Sequence, residues 1–385
     1  MLIKNNFFKN FYLKSKKFKE NLKKTKKAYQ YIEKYLWDFP ELKIHSETSE
    51  AELDFSFKEI KKFSKFENIV VLGMGGSILG TKSIYSYLKK KTKKNFFFFD
   101  NLDESLHEKF YKIENLSSTG FIVVSKSGNT LETITNLNVI TSKMNIWNRL
   151  AIITDKKNKV NILAHIAKKN NIDTFIKHNQ VGGRYSVLSE TSMFPAVLMG
   201  LKINKFKNLK KLTKNKIFVN SLILNVASIF TLYEKNLKNS VILNYNSNLN
   251  DLGFWYQQLT SESLGKNGKG INPILSITPK DHHSLLQLYL DGPKDKFFTF
   301  FDSKIKNKKI NSTIEAQSQA MKNIFKKEKI PFRYFIFNRE NEEELGTFFT
   351  FSVLETILLS RLMKVNPFNQ PAVEKVKIET KKILR

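Results

Sequence analysis

The chain contains no cysteine, which excludes a disulfide framework and any thiolate metal site. That suits a reducing compartment, and a cytoplasmic location is expected. No uninterrupted apolar run approaches the ~18 residues of a membrane span. The stretch from Met1 to Lys27 is basic, but lysines break every apolar run, so it lacks the apolar region of about 7–15 residues that a signal peptide needs. Arginine is scarce as well. It occurs only at Arg149, Arg184, Arg333, Arg339, Arg361 and Arg385, and lysine carries most of a formal net charge of +30. Such a charge raises the question of nucleic acid. The lysines, however, are spread over loops and helices alike, as a drift of overall composition would spread them. No specific nucleic-acid partner and no membrane are expected, and a positive field would help capture a phosphorylated anion.

What is present describes a globular chain. At roughly 150 residues per domain, 385 residues suggest two or three domains. A hydrophobic content of 41% is ordinary for a protein with a sizeable core. Residues 1–60 read as a helical N-terminal arm: Phe8, Phe11 and Tyr12, then Tyr29, Ile32, Tyr35 and Leu36, recur at three- and four-residue steps. From Asn68 the pattern changes to short apolar runs at 69–72, 96–99, 120–124 and 150–153, with helix-length stretches between them. Strands of that kind alternating with helices form a parallel sheet buried on both faces. The crossovers are right-handed, which winds the layers on both sides. A second unit begins near Lys214, with strand candidates at 241–245, 274–276, 297–300 and 334–337 and helical patterns at 316–326 and 348–364. The expected class is α/β: a helical arm over 1–60, a first doubly wound domain over 61–210, and a second over 211–385 that ends in a helix. The two would pack together with a site between them.

Ligands of open parallel sheets bind beyond the carboxyl ends of the strands. Two segments fall there. Gly73-Met74-Gly75-Gly76-Ser77-Ile78-Leu79-Gly80 follows the first strand, and its glycines would let backbone approach a ligand. Its spacing is not the nucleotide-binding Gly-x-Gly-x-x-Gly. Ser125-Lys126-Ser127-Gly128-Asn129-Thr130 follows the third strand and packs three hydroxyls and a lysine into six residues. Hydroxyls and free N–H groups at a helix start make a phosphate cradle, whereas an ordinary N-cap needs only one of those hydroxyls.

Further along, Arg184 stands directly after two glycines in a chain that otherwise favours lysine. Its planar, permanently charged fork suits either a developing oxyanion or a structural ion pair. Glu262 lies just past the apolar helix face of Leu252, Trp255, Tyr256 and Leu259, where a carboxylate can act as a general base or simply be solvated. His282 and His283 are adjacent, so they point in different directions, and nothing beside them has metal-ligand spacing. Lys375 and Lys377 lie on different sides of a helix that begins after Gln370-Pro371.

Taken together, these segments resemble the glucose-6-phosphate isomerase family, a group of proteins with sugar isomerase (SIS), flavodoxin-like domains. The resemblance rests on Gly75-Gly76-Ser77-x-Leu79-Gly80, on Ser125-Lys126-Ser127-Gly128-x-Thr130-x-Glu132-Thr133, and on Val181-Gly182-Gly183-Arg184-Tyr185-Ser186-Val187. It rests further on Gln258-x-x-x-Glu262-Ser263-x-Gly265-Lys266 and Gln370-Pro371-x-Val373-Glu374-x-x-Lys377, collinear from about residue 65 onward. It implies interconversion of glucose 6-phosphate and fructose 6-phosphate with no cofactor and no metal. Ser125, Lys126, Ser127 and Thr130 would hold the phosphate, helped by Gly76 and Ser77. Glu262 would move the proton between C2 and C1 through a cis-enediol. Arg184 would stabilise the charge on that intermediate. His283 and Lys377 would assist ring opening, and Gln258 and Gln370 would hydrogen-bond the substrate. A homodimer is implied, with His283 supplied across the interface. Asn129, Asn369 and Ala372 stand where the family commonly has Thr, Asp and Gly.

Overall fold

The computed structural model describes residues 15–46, 53–113, 115–155, 160–175, 180–304 and 307–384. Phe8, Phe11 and Tyr12 of the expected arm lie outside the described residues. Two parallel sheets organise the remainder. The first holds β1 (Asn68–Gly73), β2 (Asn95–Phe99), β3 (Thr119–Val124), β4 (Leu150–Ile153) and β5 (Asp173–Thr174), in the order β2-β1-β3-β4-β5. The second holds β6 (Asn239–Asn244), β7 (Asn272–Ile277), β8 (Lys296–Ser303) and β9 (Phe332–Phe337), in the order β7-β6-β8-β9. Both orders step back once and then run forward, as in flavodoxin-like doubly wound folds. Every strand found by its apolar run is present. The fifth strand of the first sheet was not expected, because its two residues are polar.

The strands are apolar on both faces, and alternation sends consecutive residues to opposite cores. Val70, Leu72, Phe121, Val123, Leu150 and Ile152 form an outer cluster. Their neighbours Ile69, Val71, Ile122, Val124, Ala151 and Ile153 face inward, in the same core as Ile242, Phe297, Phe301 and Phe335 of the second sheet. The layer between the sheets includes the helices Leu79–Leu88, Asn250–Leu264 and Glu342–Met363. Each fully buried side chain of this kind contributes about 1.5–3 kcal/mol, and the shared core fixes the two halves against each other. The helices Lys216–Glu234 and Glu342–Met363 are long and apolar enough to cross a bilayer, but 67% and 89% of their apolar windows are buried inside this fold. They read as core helices.

The arm belongs to the same body. Ser15 caps the helix Lys16–Lys34 by accepting from the Phe18 amide, and Phe18, Ala28, Tyr29 and Ile32 are buried along one face. Asn21 donates to Thr231 Oγ1 and Glu234 Oε2 at 3.0 and 2.7 Å, tying this helix to Lys216–Glu234 in the second half. The chain then makes the short turn Pro40–Lys43. Leu42 and Ile44 are fully buried there, and His45 Nδ1 meets Thr350 Oγ1 at 2.9 Å.

Candidate active site

Beyond the carboxyl ends of β1 and β3, the two strands flanking the reversal of strand order, the chain makes its two anion-friendly turns. Ser125 Oγ and Thr130 Oγ1 are 2.8 Å apart, and Ser127 Oγ accepts from the Asn129 amide at 3.3 Å. Thr130 precedes the helix Leu131–Lys143, yet no side chain caps that helix. Three hydroxyls therefore surround a helix start without satisfying its first N–H groups, which favours an anion over an ordinary cap. Asn129 is used differently: its Oδ1 accepts from the Ile162 amide at 3.0 Å, fastening the cradle to the next helix. Lys126 donates to the Val181 carbonyl at 3.1 Å, and burial pulls its pKa down.

Val181 leads into the second part of the site. Residues Gly183–Leu188 form one 3-10 stretch that is largely buried. The turn Gly75–Ser77 presses against it so closely that a Cβ on Gly76 would lie 2.2 Å from the Gly183 carbonyl carbon. Gly75 has φ +53°, and a Cβ there would meet Gln258 Nε2 at 2.7 Å. Glycine at these two positions is what lets the first turn touch both Arg184's segment and the helix Asn250–Leu264. Ser77, Lys126, Val181 and Gly183 line one small cavity between the two turns.

Arg184 is 2% exposed, and all five of its N–H groups find acceptors. Nε donates to Ser263 Oγ at 2.8 Å. Nη1 donates to Glu262 Oε2 at 3.0 Å and Gln370 Oε1 at 2.9 Å. Nη2 donates to the Pro367 carbonyl and, at 3.1 Å, to that of Asn369. The guanidinium is thus clamped between the Glu262 helix and the turn before the Pro371–Ile383 helix. Glu262 lies in the last turn of its helix, one turn after Gln258, whose Nε2 donates to Glu262 Oε1 at 2.8 Å. The carboxylate keeps 30% of its side-chain surface exposed. With about four lone-pair positions and two of them used, it retains capacity for a proton.

Three contributors were not assigned roles from the sequence. Ser263 anchors Arg184 and also meets Tyr185 Oη at 2.8 Å. Lys266 donates to the carbonyls of Glu262 and Ser263 at 2.7 and 2.8 Å, capping the helix that carries Glu262; burial lowers its pKa to about 8. Its place in the glycine-lysine ending of that motif was the available signal. Glu41, from the Pro40–Lys43 turn, is 5% exposed and within electrostatic reach of Lys126 and Arg184. No local pattern pointed to it, because its position is set by tertiary packing.

Two expected residues are not drawn into this cluster. His283 ends an exposed 3-10 turn after β7, while its neighbour His282 meets Tyr245 Oη at 2.9 Å. Lys377 is more than half exposed and paired with Glu374 at 2.7 Å on the helix Pro371–Ile383, none of whose side chains is buried. A cleft of about 500 Å³ opens beside the cluster at Gln258 and is also lined by Lys82, Asp100, Phe254 and Gln257.

The doubly wound sheets, the capless hydroxyl turn and the carboxylate–guanidinium pair define a sugar-phosphate isomerase class of α/β protein. Comparison narrows the class. The phosphoglucose isomerase family model matches residues 55–278. A glucose-6-phosphate isomerase of Methanocaldococcus jannaschii is 36% identical over 84% of this chain and 86% of its own length. One from Mycoplasmopsis synoviae is 30% identical over 80% of each chain. The chain belongs to the phosphoglucose isomerase family. Among solved structures, a hypothetical protein from Thermus thermophilus shares the fold at TM-score 0.82, with 22% identity and full coverage of both chains. A glucose-6-phosphate isomerase from Chlamydia trachomatis does so at TM-score 0.66, with 20% identity over 85% of this chain and 71% of that one.

Proposed function

We propose that this protein is a cytoplasmic aldose–ketose isomerase interconverting glucose 6-phosphate and fructose 6-phosphate. The observation that carries the proposal is the meeting of three distant segments on one guanidinium, with Glu262 at 3.0 Å and Gln370 at 2.9 Å from Arg184 Nη1. A carboxylate held open beside a fixed positive charge, next to an anion-binding turn, is what proton transfer at a carbon alpha to a carbonyl requires.

In this reading Ser125, Lys126, Ser127 and Thr130 hold the phosphate, with Gly76 and Ser77 closing the cradle. Once the ring has opened, Glu262 removes the C2 proton and returns it to C1 through a cis-enediol. A positioned base of this kind contributes roughly 10²–10⁴-fold. Arg184 fixes Glu262 and Gln370 in place and supplies a positive charge for the developing oxyanion, worth about 3 kcal/mol by analogy with oxyanion-hole donors. Gln258 orients Glu262 and, with Gln370, contacts the sugar. No cofactor enters the scheme.

Ring opening is assigned to His283 and Lys377, which implies a homodimer that brings His283 across an interface. The exposed Val376 and Ile378 of the terminal helix, at 70% and 53%, support a covering partner. His282 is committed to Tyr245, which leaves His283 as the one able to reach outward.

Coupled assays with glucose 6-phosphate, fructose 6-phosphate and mannose 6-phosphate test the assignment. Turnover of the first two and little of the third is expected. Comparable turnover of mannose 6-phosphate overturns the narrow specificity, and no turnover of any overturns the isomerase reading. Light scattering would show a dimer; a monomer with full activity removes His283 from its trans role.

A further inference from the structure

Lys266 and Lys269 frame a tight turn that the scheme above does not use. Its two central residues, Asn267 and Gly268, have φ +54° and +71°, the left-handed pair that closes a two-residue hairpin. The Lys266 amide donates to the Lys269 carbonyl at 3.0 Å, and the Lys269 amide donates to the Lys266 carbonyl at 2.9 Å. The backbone of both lysines is fixed by this exchange. Their side chains then grip two different helix ends.

The first end belongs to the helix that carries Glu262. An α-helix leaves its last four carbonyls without partners inside the helix. In Asn250–Leu264 all four are taken. The Ser261 carbonyl accepts from the Gly265 amide at 2.8 Å, and that of Leu264 accepts from the Lys266 amide at 2.9 Å. The carbonyls of Glu262 and Ser263 accept from Lys266 Nζ at 2.7 and 2.8 Å. Lys266 thus supplies the donors for three of the four. Its ammonium holds the main chain of the base itself and of Ser263, whose hydroxyl accepts from Arg184 Nε. A cation there also offsets the negative end of the helix.

The second end belongs to Glu342–Met363. Lys269 Nζ donates to the Met363 carbonyl at 2.9 Å, and Lys364 leaves that helix with φ +55°. Three residues later the chain reaches Pro367. The carbonyls of Pro367 and Asn369 and the side chain of Gln370 all accept from Arg184. The lysine turn therefore joins, a second time, the two segments that meet on the guanidinium.

We propose that Lys266 is a positioning residue for the isomerisation, with Lys269 as its second anchor, and that their turn holds the Glu262 helix and the segment 367–370 at the spacing that sets Glu262 against Arg184. Glu262 stands in the last turn of its helix, where an uncapped helix frays. Unwinding that turn would carry its carboxylate away from Arg184 Nη1 at 3.0 Å and Gln258 Nε2 at 2.8 Å. The phosphate cradle is carried by another segment, 125–130, so the brace bears on proton transfer rather than on anion binding. The effect on turnover rests on the isomerase reading; the tie between the two segments does not.

Lys266→Met, which keeps the length of the side chain and removes its ammonium, tests the proposal. The assays are run at pH 7, below the value of about 8 to which burial lowers Lys266. With fructose 6-phosphate, kcat is expected to fall roughly 10- to 100-fold, the scale of a base displaced by about 1 Å. KM should change less than about threefold, and sulfate binding measured by calorimetry should be unchanged. Lys266→Arg, whose fork offers donors to the same two carbonyls, restores most of the lost kcat. Lys269→Met, at the exposed anchor, costs about three- to tenfold in kcat. Hydrogen–deuterium exchange reads the tie without turnover: it is expected to quicken over 258–266 in Lys266→Met and over 360–370 in Lys269→Met. An ordinary end cap would instead lower the melting temperature and leave kcat alone. A folded Lys266→Met protein with wild-type kcat overturns the proposal. So does unaltered exchange in both segments. If Lys266→Met does not fold, Lys269→Met decides in its place, and wild-type kcat with wild-type exchange in that variant is equally fatal. A wild type that turns over neither hexose phosphate sinks the isomerase reading, while the exchange data still decide the tie.

Discussion

Arg184 and Arg333 are both almost wholly buried, each faces a glutamate, and each has every N–H accounted for, yet they serve different ends. Arg333 donates to Thr299, Asn225, Tyr256 and Glu355, and Tyr256 donates back to Glu355. Glu355 is 1% exposed, so that network is closed. Around Arg184 the partners include two backbone carbonyls, a serine, a glutamine and Glu262, and Glu262 keeps 30% exposure. A buried guanidinium with a sealed carboxylate is a structural knot. The same cation with an open carboxylate suits the proposed site, because only an accessible carboxylate can exchange a proton with a ligand. Openness at the carboxylate, rather than burial of the arginine, separates the two.

The contrast can be broken by paired substitutions. Glu262→Gln is expected to leave the melting temperature nearly unchanged and to lower kcat by about 10²–10⁴-fold; steady-state kinetics and thermal denaturation read both. Glu355→Gln should do the reverse. It leaves a buried guanidinium uncompensated and costs about 3–5 kcal/mol of stability, measured by urea unfolding. If Glu355→Gln were as stable as the wild type, the closed network would not be the knot described. Arg184→Lys keeps the charge but loses the fork that spans Glu262, Gln370 and the two carbonyls. A loss of about 3 kcal/mol in kcat/KM is expected, with sulfate binding still detectable.

A smaller effect sharpens the comparison from the sealed side. His45 is fully buried against Thr350, and burial lowers its pKa to about 3. The unfolded chain takes up this proton below its ordinary value of 6.5, while the native protein refuses it until about 3. Stability is therefore complete above the unfolded value and falls as pH drops. By pH 5 the loss through His45 alone is about 2 kcal/mol. Urea unfolding at pH 7 and 5 should show a component of that size in the wild type that is absent from His45→Gln.

Much of this was legible in the sequence, for physical reasons. Buried parallel strands need uninterrupted apolar runs, so β1 to β4 and β6 to β9 announced themselves. β5 did not, since two polar residues at a sheet edge carry no such signal. Ser125–Thr130 and Glu262 could be singled out as candidates because each is a local pattern, a hydroxyl-rich turn after a strand and a carboxylate just past an apolar helix face. Glu41 could not, because nothing near Pro40 says that its turn crosses the Arg184 clamp; only Phe39 packing on Phe368 places it there. His283 and Lys377, proposed for ring opening, stay at the surface of the single chain.

The central claim is that Glu262 carries a proton between C2 and C1. Its most direct test is isomerisation in deuterium oxide, followed by proton NMR of the sugar phosphates. The wild type is expected to incorporate solvent deuterium at C1 of fructose 6-phosphate and C2 of glucose 6-phosphate, while Glu262→Gln binds substrate and exchanges at least about a hundredfold more slowly. Isomerisation and exchange by Glu262→Gln at the wild-type rate would contradict the account.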